Sequence, residues 1–216
     1  MARCFLIPGM GADGRMLAPQ CAALPDVAVL EWIEPASEQE PIAAYAARLA
    51  ATIPASPPFL VGGVSFGGIV AQEIARHVHP IGVVLIASWR ARESLALHVR
   101  ALAAVGPWMP TSPFRLGAHS RLVARAFGLR TLMQRELFGK MFGAASPRFL
   151  HWAARVVHRW QGVQGLAIPV RQLHGAEDRI VPLARVRADV VVPKAGHLVN
   201  LTDPEPVNRF LARELL

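Results

Sequence analysis

The chain has 216 residues, of which 53% are hydrophobic and 18% are charged. This composition excludes an intrinsically disordered protein, and the length fits one globular domain with room for a small insertion. With 23 Lys and Arg against 15 Asp and Glu, the net charge is +8. What this charge implies depends on where it lies along the chain.

The positive charge is concentrated in one central segment, residues 90–165. This segment holds 12 Lys and Arg against two acids, Glu93 and Glu136, whereas the remainder of the chain is slightly acidic. A nucleic-acid-binding protein is poorly supported, because the remainder is not basic and no binding motif is present. Two interpretations stay open: a solvated helical face, or a surface for an anionic substrate, an acidic carrier protein or a membrane surface.

Cysteine usage and hydropathy predict a soluble cytoplasmic protein. Two cysteines, Cys4 and Cys21, give neither a disulfide framework nor a metal-ligand spacing, so we expect free thiols. The apolar run before Pro8 is too short for the apolar region of a signal peptide. The longest uncharged stretch, residues 49–72, contains prolines and glycines and predicts separate elements rather than a transmembrane segment.

Six short apolar runs predict β-strands, and most are continuous, as in parallel strands that are buried on both faces. In chain order they are residues 4–7, 27–30, 59–61, 81–86, 170–173 and 190–192. Amphipathic patterns predict helices at residues 42–53 and 69–77, and a C-terminal helix at 204–216 with Asp203 as its N-cap. This alternation predicts an α/β fold, with a mostly parallel sheet flanked by helices, as a single domain over residues 1–216.

Residues 90–165 interrupt the alternation between the fourth and fifth predicted strands. They lack strand-like runs, contain several Gly and Pro residues, and show helical patterns at residues 94–105, 120–142 and 147–160. We therefore expect a small helical cap inserted into the α/β domain. We call residues 90–165 the cap segment.

Large apolar side chains in and beside the cap segment could line a pocket for an acyl group. At helical spacing most such side chains form the core of the helices themselves, so only a minority is expected to reach a substrate. The candidate substrate-binding residues are Trp89, Trp108, Met109 and Trp152.

The stretch VGGVSFGG, residues 61–68, places Ser65 between a predicted strand and a predicted helix. In a Gly-x-Ser-x-Gly turn the strand bends sharply into the helix, so the serine adopts an unfavourable backbone conformation and its neighbours two positions away must be small. Gly63 and Gly67 occupy those positions. The hydroxyl would stand at the helix N-terminus, where backbone N–H groups favour a developing oxyanion. A helix N-cap serine explains the local stretch equally well.

A nucleophilic serine needs a general base, and the base needs a carboxylate that orients it. Glu177 and Asp178 lie in the loop after the fifth predicted strand, and His197 lies in the loop after the sixth. Because the carboxyl ends of parallel strands meet at one edge of the sheet, both loops are expected near Ser65. This position distinguishes His197 from the other seven histidines.

With these motifs in this order, the chain resembles the α/β-hydrolase family over nearly its whole length. The motifs that resemble the nucleophile elbow, acid loop and histidine loop of the family are GVSFGG at residues 63–68, HGAEDRIVP at residues 174–182 and GH at residues 196–197. The resemblance implies Ser65 as nucleophile, His197 as base and Asp178 as the orienting acid. The spacing to the following Val-Pro pair favours Asp178 over Glu177.

The N-terminal stretch IPGMG, residues 7–11, resembles the oxyanion loop of the family. It implies the backbone N–H groups of Met10 and Phe66 as the oxyanion hole. Where the family usually has His-Gly, this chain has Pro8-Gly9. The backbone donor survives this change, but the hydrogen bonds of a histidine do not.

The resemblance implies a serine hydrolase that cleaves a carboxylic ester or a related acyl compound through an acyl-enzyme, without a metal or an organic cofactor. The expected partner is a small-molecule acyl substrate, and an anionic group on it is an open alternative. Fold does not fix function, so a C–C bond hydrolase or lyase and a thioesterase remain alternatives on the same triad. A non-catalytic ligand-binding protein is a third class.

Overall fold

The computed structural model describes residues 2–54, 58–112 and 117–216. Within these residues the predicted apolar runs form parallel strands of one sheet, in the order β2-β1-β3-β4-β5-β6. Their bounds are β1 Arg3–Ile7, β2 Val27–Val29, β3 Phe59–Val64, β4 Gly82–Ile86, β5 Val170–Gly175 and β6 Val190–Val192. The predicted α/β fold with a parallel sheet flanked by helices is confirmed.

Helices cover both faces of the sheet and the segment between β4 and β5. The α-helices with described bounds are α1 (Ala18–Ala23), α2 (Ile42–Ala50), α3 (Phe66–Ile74), α4 (Leu97–Val105), α5 (Arg121–Phe127), α6 (Leu132–Ala144), α7 (Pro147–Arg159), α8 (Val199–Thr202) and α9 (Pro204–Glu214). Short 3₁₀ turns lie at Gly14–Leu17, Arg92–Ser94, Gly106–Trp108 and Leu183–Arg185. α3 begins earlier than predicted, directly after Ser65.

The sheet is apolar on both faces because alternate side chains of each strand enter two separate cores. In β1, Phe5 and Ile7 pack into the core that includes α2, α3 and α7. Cys4 and Leu6 face the opposite side, into the core that includes α9. This double burial explains why the strands are continuous apolar runs in the sequence. Both cysteines are free, and Cys4 is fully buried.

The cap segment contains α4 to α7, and its residues 113–116 lie outside the described part of the chain. The single helix predicted over residues 120–142 is wrong. Gly128 adopts a left-handed conformation, with φ at 78°, and ends α5. Thr131 then begins α6 with a capping box in which its side chain accepts the N–H of Gln134.

Asp203 lies at the N-terminus of α9, but its side chain does not cap that helix. One carboxylate oxygen accepts a hydrogen bond from the Thr202 hydroxyl at 2.7 Å, and the other from Arg130 at 2.9 Å. The predicted N-cap position of Asp203 is therefore confirmed, but its carboxylate bonds to two side-chain donors instead of to the helix N–H groups. Among the described residues no helix is long and apolar enough to span a bilayer.

Candidate active site

The carboxyl edge of the sheet brings together the loops that follow β1, β3, β5 and β6. The oxyanion loop (residues 8–12) follows β1, and Ser65 follows β3. Asp178 lies in the loop after β5 (residues 176–182, the acid loop), and His197 in the loop after β6 (residues 193–198, the histidine loop). The sheet order places β1, β3, β4 and β5 side by side, so these loops can meet.

Ser65 lies on a strained turn between β3 and α3. Its φ of 53° and ψ of −118° are unfavourable for a residue other than glycine. A Cβ atom at Gly63 would overlap the backbone of Gly67, and one at Gly67 would overlap the carbonyl groups of Ile7 and Pro8. The small residues are needed because β3, α3 and the start of the oxyanion loop are in direct contact.

The side chains of Ser65, His197 and Asp178 form a continuous chain of hydrogen bonds. Nε2 of His197 lies 2.8 Å from Oγ of Ser65, and Nδ1 of His197 lies 2.8 Å from Oδ2 of Asp178. His197 and Asp178 are buried, whereas Ser65 is partly exposed. Ser65 occupies the N-cap position of α3, but its side chain makes no capping hydrogen bond. Its hydroxyl thus faces the imidazole rather than the helix N–H groups.

The environment of Asp178 favours its ionised form. Burial raises the pKa of this carboxyl, but the positive charge of His197, hydrogen bonds from His174 and His197 and the N–H of Val181 together lower the pKa below its ordinary 3.8. Oδ1 accepts the N–H groups of Ile180 and Val181 at 2.8 and 2.9 Å. In the neutral form of the imidazole, a carboxylate at Nδ1 favours the proton on that nitrogen, and Nε2 then presents a lone pair to the Ser65 hydroxyl.

The backbone N–H groups of Met10 and Phe66 are both available as donors. Neither has an acceptor within the described ranges of the chain. Gly67, next to Phe66, packs on the backbone of the oxyanion loop, so the two donors belong to elements in contact. The loop is also fixed by the indole of Trp32, which donates to the carbonyl of Gly9 at 3.3 Å.

A buried serine that the sequence analysis did not select supports the nucleophile turn. Ser88 follows β4, and its hydroxyl donates to the backbone carbonyl of Ser65 at 2.7 Å. A Cβ atom at Gly68 would overlap the Ser88 side chain, which accounts for a second glycine after Gly67. The Ser88 carbonyl in turn accepts a hydrogen bond from the side chain of Gln172 at 2.9 Å.

His174 extends these contacts to the acid loop. Its Nδ1 lies 3.4 Å from the amide nitrogen of Gln172, and its Nε2 lies 2.8 Å from the carbonyl of Val181 and 3.2 Å from Oδ2 of Asp178. All three side chains are buried. The signal in the sequence is the polar pair Gln172 and His174, two residues apart in the buried part of β5.

Two of the candidate substrate-binding residues lie in the core. Trp89 and Trp152 are buried in the core that includes α3 and α7. The Trp152 ring lies 5.6 Å from the ring of Phe66, and its indole N–H donates to the carbonyl of Glu40 at 2.9 Å. Trp152 therefore supports the side chain that follows Ser65.

The other two candidates lie on the surface. Trp108 is 79% exposed, and its ring lies over the guanidinium of Arg155 at 5.1 Å. Met109 is also exposed, and its carbonyl oxygen lies 3.0 Å from Nε2 of His151. The structure does not bring these four candidates together around Ser65.

Two cavities lie near the oxyanion loop and the aromatic core. The first, about 210 Å³, includes Gly11, Ala12, Asp13, Trp32, Met141 and Phe149 in its lining. The second, about 310 Å³, includes Pro41, Trp152, Arg155, Val156 and Trp160. Ser65 and His197 line neither of these two. The first includes Gly11, the chain neighbour of Met10. Within the described part of the chain, no group of three or more His, Cys, Asp or Glu side chains could hold a metal ion.

Comparisons with known proteins agree with this architecture. A thermophilic esterase from Thermogutta terrifontis has 21% identity and a TM-score of 0.73, with 100% of this chain and 89% of that chain covered. A hydrolase from Oleispira antarctica has 13% identity and a TM-score of 0.77, with 100% and 91% covered. A meta-cleavage product hydrolase from Pseudomonas fluorescens has 16% identity and a TM-score of 0.72, with 99% and 90% covered. At these identities the likeness shows the fold.

The sequence itself carries the family assignment. No curated protein matches the chain. The profile of the Alpha/beta hydrolase family matches residues 3–210, nearly the whole chain. The protein therefore belongs to the alpha/beta hydrolase family.

Proposed function

We propose that the protein is a serine hydrolase that cleaves a carboxylic ester with Ser65 as nucleophile, His197 as base and Asp178 as the orienting acid. One observation carries this proposal: the two consecutive 2.8 Å hydrogen bonds that join Ser65 to His197 and His197 to Asp178. A structural serine would need neither the strained turn nor a buried histidine and carboxylate behind it.

In the first half-reaction, Oγ of Ser65 attacks the ester carbonyl while Nε2 of His197 removes the hydroxyl proton. The imidazolium that forms is stabilised by Asp178, which accepts the hydrogen bond from Nδ1. The carbonyl oxygen becomes an oxyanion, for which the N–H groups of Met10 and Phe66 are the proposed donors. The tetrahedral intermediate collapses when His197 returns its proton to the leaving alcohol, and the acyl group remains on Ser65.

In the second half-reaction, His197 removes a proton from water, which attacks the acyl-enzyme. The same N–H donors accommodate the second oxyanion, and collapse releases the carboxylic acid and the Ser65 hydroxyl. All proton transfers use one nitrogen, Nε2, because Nδ1 stays bonded to Asp178. This cycle needs no residue beyond those that meet at the carboxyl edge of the sheet.

The test compares Ser65→Ala with wild type on p-nitrophenyl esters of increasing acyl length. Removal of the nucleophile is expected to lower kcat by about 10⁶-fold, the scale of the loss when the nucleophile of a triad that acts as a unit is removed. Ser37→Ala is the matched control, because Ser37 is exposed and, among the described residues, its hydroxyl bonds only to the backbone N–H of Gln39. Full turnover by Ser65→Ala would overturn the mechanism.

Other substrates of the same triad are separated by their products. Thioesters and substrates with a cleavable C–C bond next to a carbonyl are included in the panel, in water labelled with ¹⁸O. A hydrolase of any of these bonds incorporates the label into the acid product, whereas a lyase forms products without it. Binding without any turnover would indicate a non-catalytic ligand-binding protein.

For partners, we propose a small acyl substrate and contact of the basic cap segment with an anionic membrane surface. Leu97 and Leu102 of α4 are 66% and 49% exposed, and Trp108 follows them on the adjoining 3₁₀ turn. Exposed apolar side chains in a segment rich in arginine are typical of proteins that bind anionic lipid surfaces. Sedimentation with vesicles of phosphatidylcholine alone, or with phosphatidylglycerol added, tests this at low and high salt.

We also propose a cytoplasmic location for the protein. The two cysteines are free, and a reducing compartment keeps thiols in that state. Fractionation of cells that express the full chain tests the location, and recovery in a secreted fraction would contradict it.

A further inference from the structure

We propose that the turn between α5 and α6 in the cap segment positions His197 for proton transfer, and that Arg130 is its main positioning residue. This proposal rests on the proposed function, because it concerns the base of that reaction. We call residues 127–131 the α5–α6 turn. It makes five separate contacts with the histidine loop and the residue that precedes α9.

The histidine loop is a segment that needs external support. It spans six residues between β6 and α8, and within it Lys194 has a φ of 58°, which is unfavourable for a residue with a side chain. The acid loop supports one side of it, because the N–H of Glu177 donates to the carbonyl of Ala195 at 2.9 Å and Gly175 packs against the same backbone.

The α5–α6 turn supports the other side, and Arg130 makes the polar contacts. One guanidinium nitrogen of Arg130 donates to the carbonyl of Lys194 at 2.7 Å, and the other to the carboxylate of Asp203 at 2.9 Å. Arg130 thereby joins the strained residue of the histidine loop to the residue that precedes α9. A guanidinium suits this role because its planar fork presents two donors in fixed directions.

Both chain neighbours of His197 also contact the α5–α6 turn. The N–H of Leu198 donates to the carbonyl of Phe127 at 3.1 Å. Gly196 packs directly on Gly128, since a Cβ atom on either would lie 2.7 Å from the Cα of the other. The ring centroids of Phe127 and His197 lie 5.6 Å apart in a T-shaped arrangement. The imidazole is thus held on both sides along the chain and on its ring.

These contacts control a distance on which the reaction depends. Nε2 of His197 must remain 2.8 Å from Ser65 while Nδ1 remains on Asp178. Arg130 is 46% exposed, so its ion pair with Asp203 is screened by solvent and stabilises the fold little. Its loss is therefore expected to move the histidine loop without unfolding the protein.

The experiment compares Arg130→Ala, Arg130→Lys and Arg125→Ala with wild type in ester hydrolysis. Arg125→Ala is the matched control: Arg125 is an exposed arginine of α5, and its side chain makes no hydrogen bond or ion pair with the described residues. We expect Arg130→Ala to lower kcat by about 10- to 100-fold with KM changed by less than about twofold, because it misplaces the base but lines neither cavity. Arg130→Lys, which retains charge and donors, is expected to recover part of kcat.

A proton resonance supplies a readout that does not depend on turnover. The Nδ1–H proton of His197, bonded to Asp178, should shift or broaden in Arg130→Ala and remain in place in Arg125→Ala. Unchanged kcat and an unchanged resonance in Arg130→Ala would overturn the proposal, as would equal losses in both variants. A wild type without Ser65-dependent turnover would overturn the proposed function instead, and the resonance would still decide the role of Arg130.

Discussion

Replacement of Asp178 by Asn is expected to reverse the tautomer of His197 while the fold is retained. Oδ1 of Asp178 accepts the N–H groups of Ile180 and Val181 at 2.8 and 2.9 Å. In Asp178→Asn the amide oxygen is expected to occupy the Oδ1 position, because an NH₂ group there would lie against the N–H donors of Ile180 and Val181. The NH₂ group then replaces Oδ2, 2.8 Å from Nδ1 of His197. It donates to Nδ1, so the ring proton moves to Nε2, which can no longer accept from Ser65.

The expected loss in kcat for Asp178→Asn is about 10⁴-fold, equivalent to about 5.4 kcal/mol of transition-state stabilisation. The assay is steady-state hydrolysis of p-nitrophenyl butyrate, with thermal unfolding of each variant measured alongside. Asp26→Asn is the control, because Asp26 precedes β2 at the opposite edge of the sheet. An Asp178→Asn enzyme within about tenfold of wild type would refute the assigned role of the carboxylate.

Three further predictions follow from single positions. The contacts of Asp178 lower its pKa below 3.8 in the folded chain, so the stability that its carboxylate contributes is complete above about pH 4 and is lost as the pH falls through the folded pKa. Urea titrations should therefore show that acid lowers the free energy of unfolding less in Asp178→Asn than in wild type. Gly67→Ala forces a Cβ atom onto the carbonyl of Ile7 and should lower the free energy of unfolding by about 1–3 kcal/mol in the same titrations. Burial raises the pKa of the Cys4 thiol, so iodoacetamide should modify Cys21 but not Cys4 until urea unfolds the chain, as measured by mass spectrometry.

Each of these predictions has an outcome that would contradict it. An equal acid-induced loss in wild type and Asp178→Asn would show that other groups set the acid limit. For Gly67→Ala the control is Gly143→Ala in α6, where an added Cβ atom would meet no described atom within 4 Å apart from its chain neighbours and the backbone of its own helix. Equal stability of both variants would refute the steric argument. Rapid alkylation of Cys4 in the folded protein would contradict its burial in β1.

The strands and the order of the candidate site residues follow from local patterns in the sequence. A parallel sheet covered on both faces favours apolar side chains at consecutive positions of a strand, as Phe5 and Leu6 show by entering opposite cores. The positions of Ser65, Asp178 and His197 follow because each lies in the segment that leaves the carboxyl end of such a strand. The carboxyl ends of parallel strands lie at one edge of the sheet, so a correct strand prediction is enough to place Ser65, Asp178 and His197 at that edge.

Local sequence signals indicate the break between α5 and α6, but the prediction of one helix followed the apolar periodicity instead. Apolar residues recur at helical spacing on both sides of Gly128, which favours one long helix over residues 120–142. The glycine and the Thr131-x-x-Gln134 pattern three residues later are the usual signals for one helix to end and another to begin. The turn they form is the one that contacts the histidine loop.

The polar contacts among Ser88, Gln172 and His174 could not be predicted, because they depend on which strands are neighbours. β5 lies beside β4, although the whole cap segment separates them along the chain. The side chain of Gln172 in β5 donates a hydrogen bond to the carbonyl of Ser88, which follows β4. The surface position of Trp108 could not be predicted from local patterns either, because the sequence around an aromatic residue beside helical segments is the same whether its side chain lines a pocket or lies on the surface.

The most direct test of the proposed triad is covalent labelling of the folded protein with a fluorophosphonate, followed by peptide mass spectrometry. The proposed mechanism predicts one equivalent of label on Ser65 in wild type and none in Ser65→Ala, with labelling slowed in Asp178→Asn. Absence of label from the folded wild type, or label on a different serine, would contradict it.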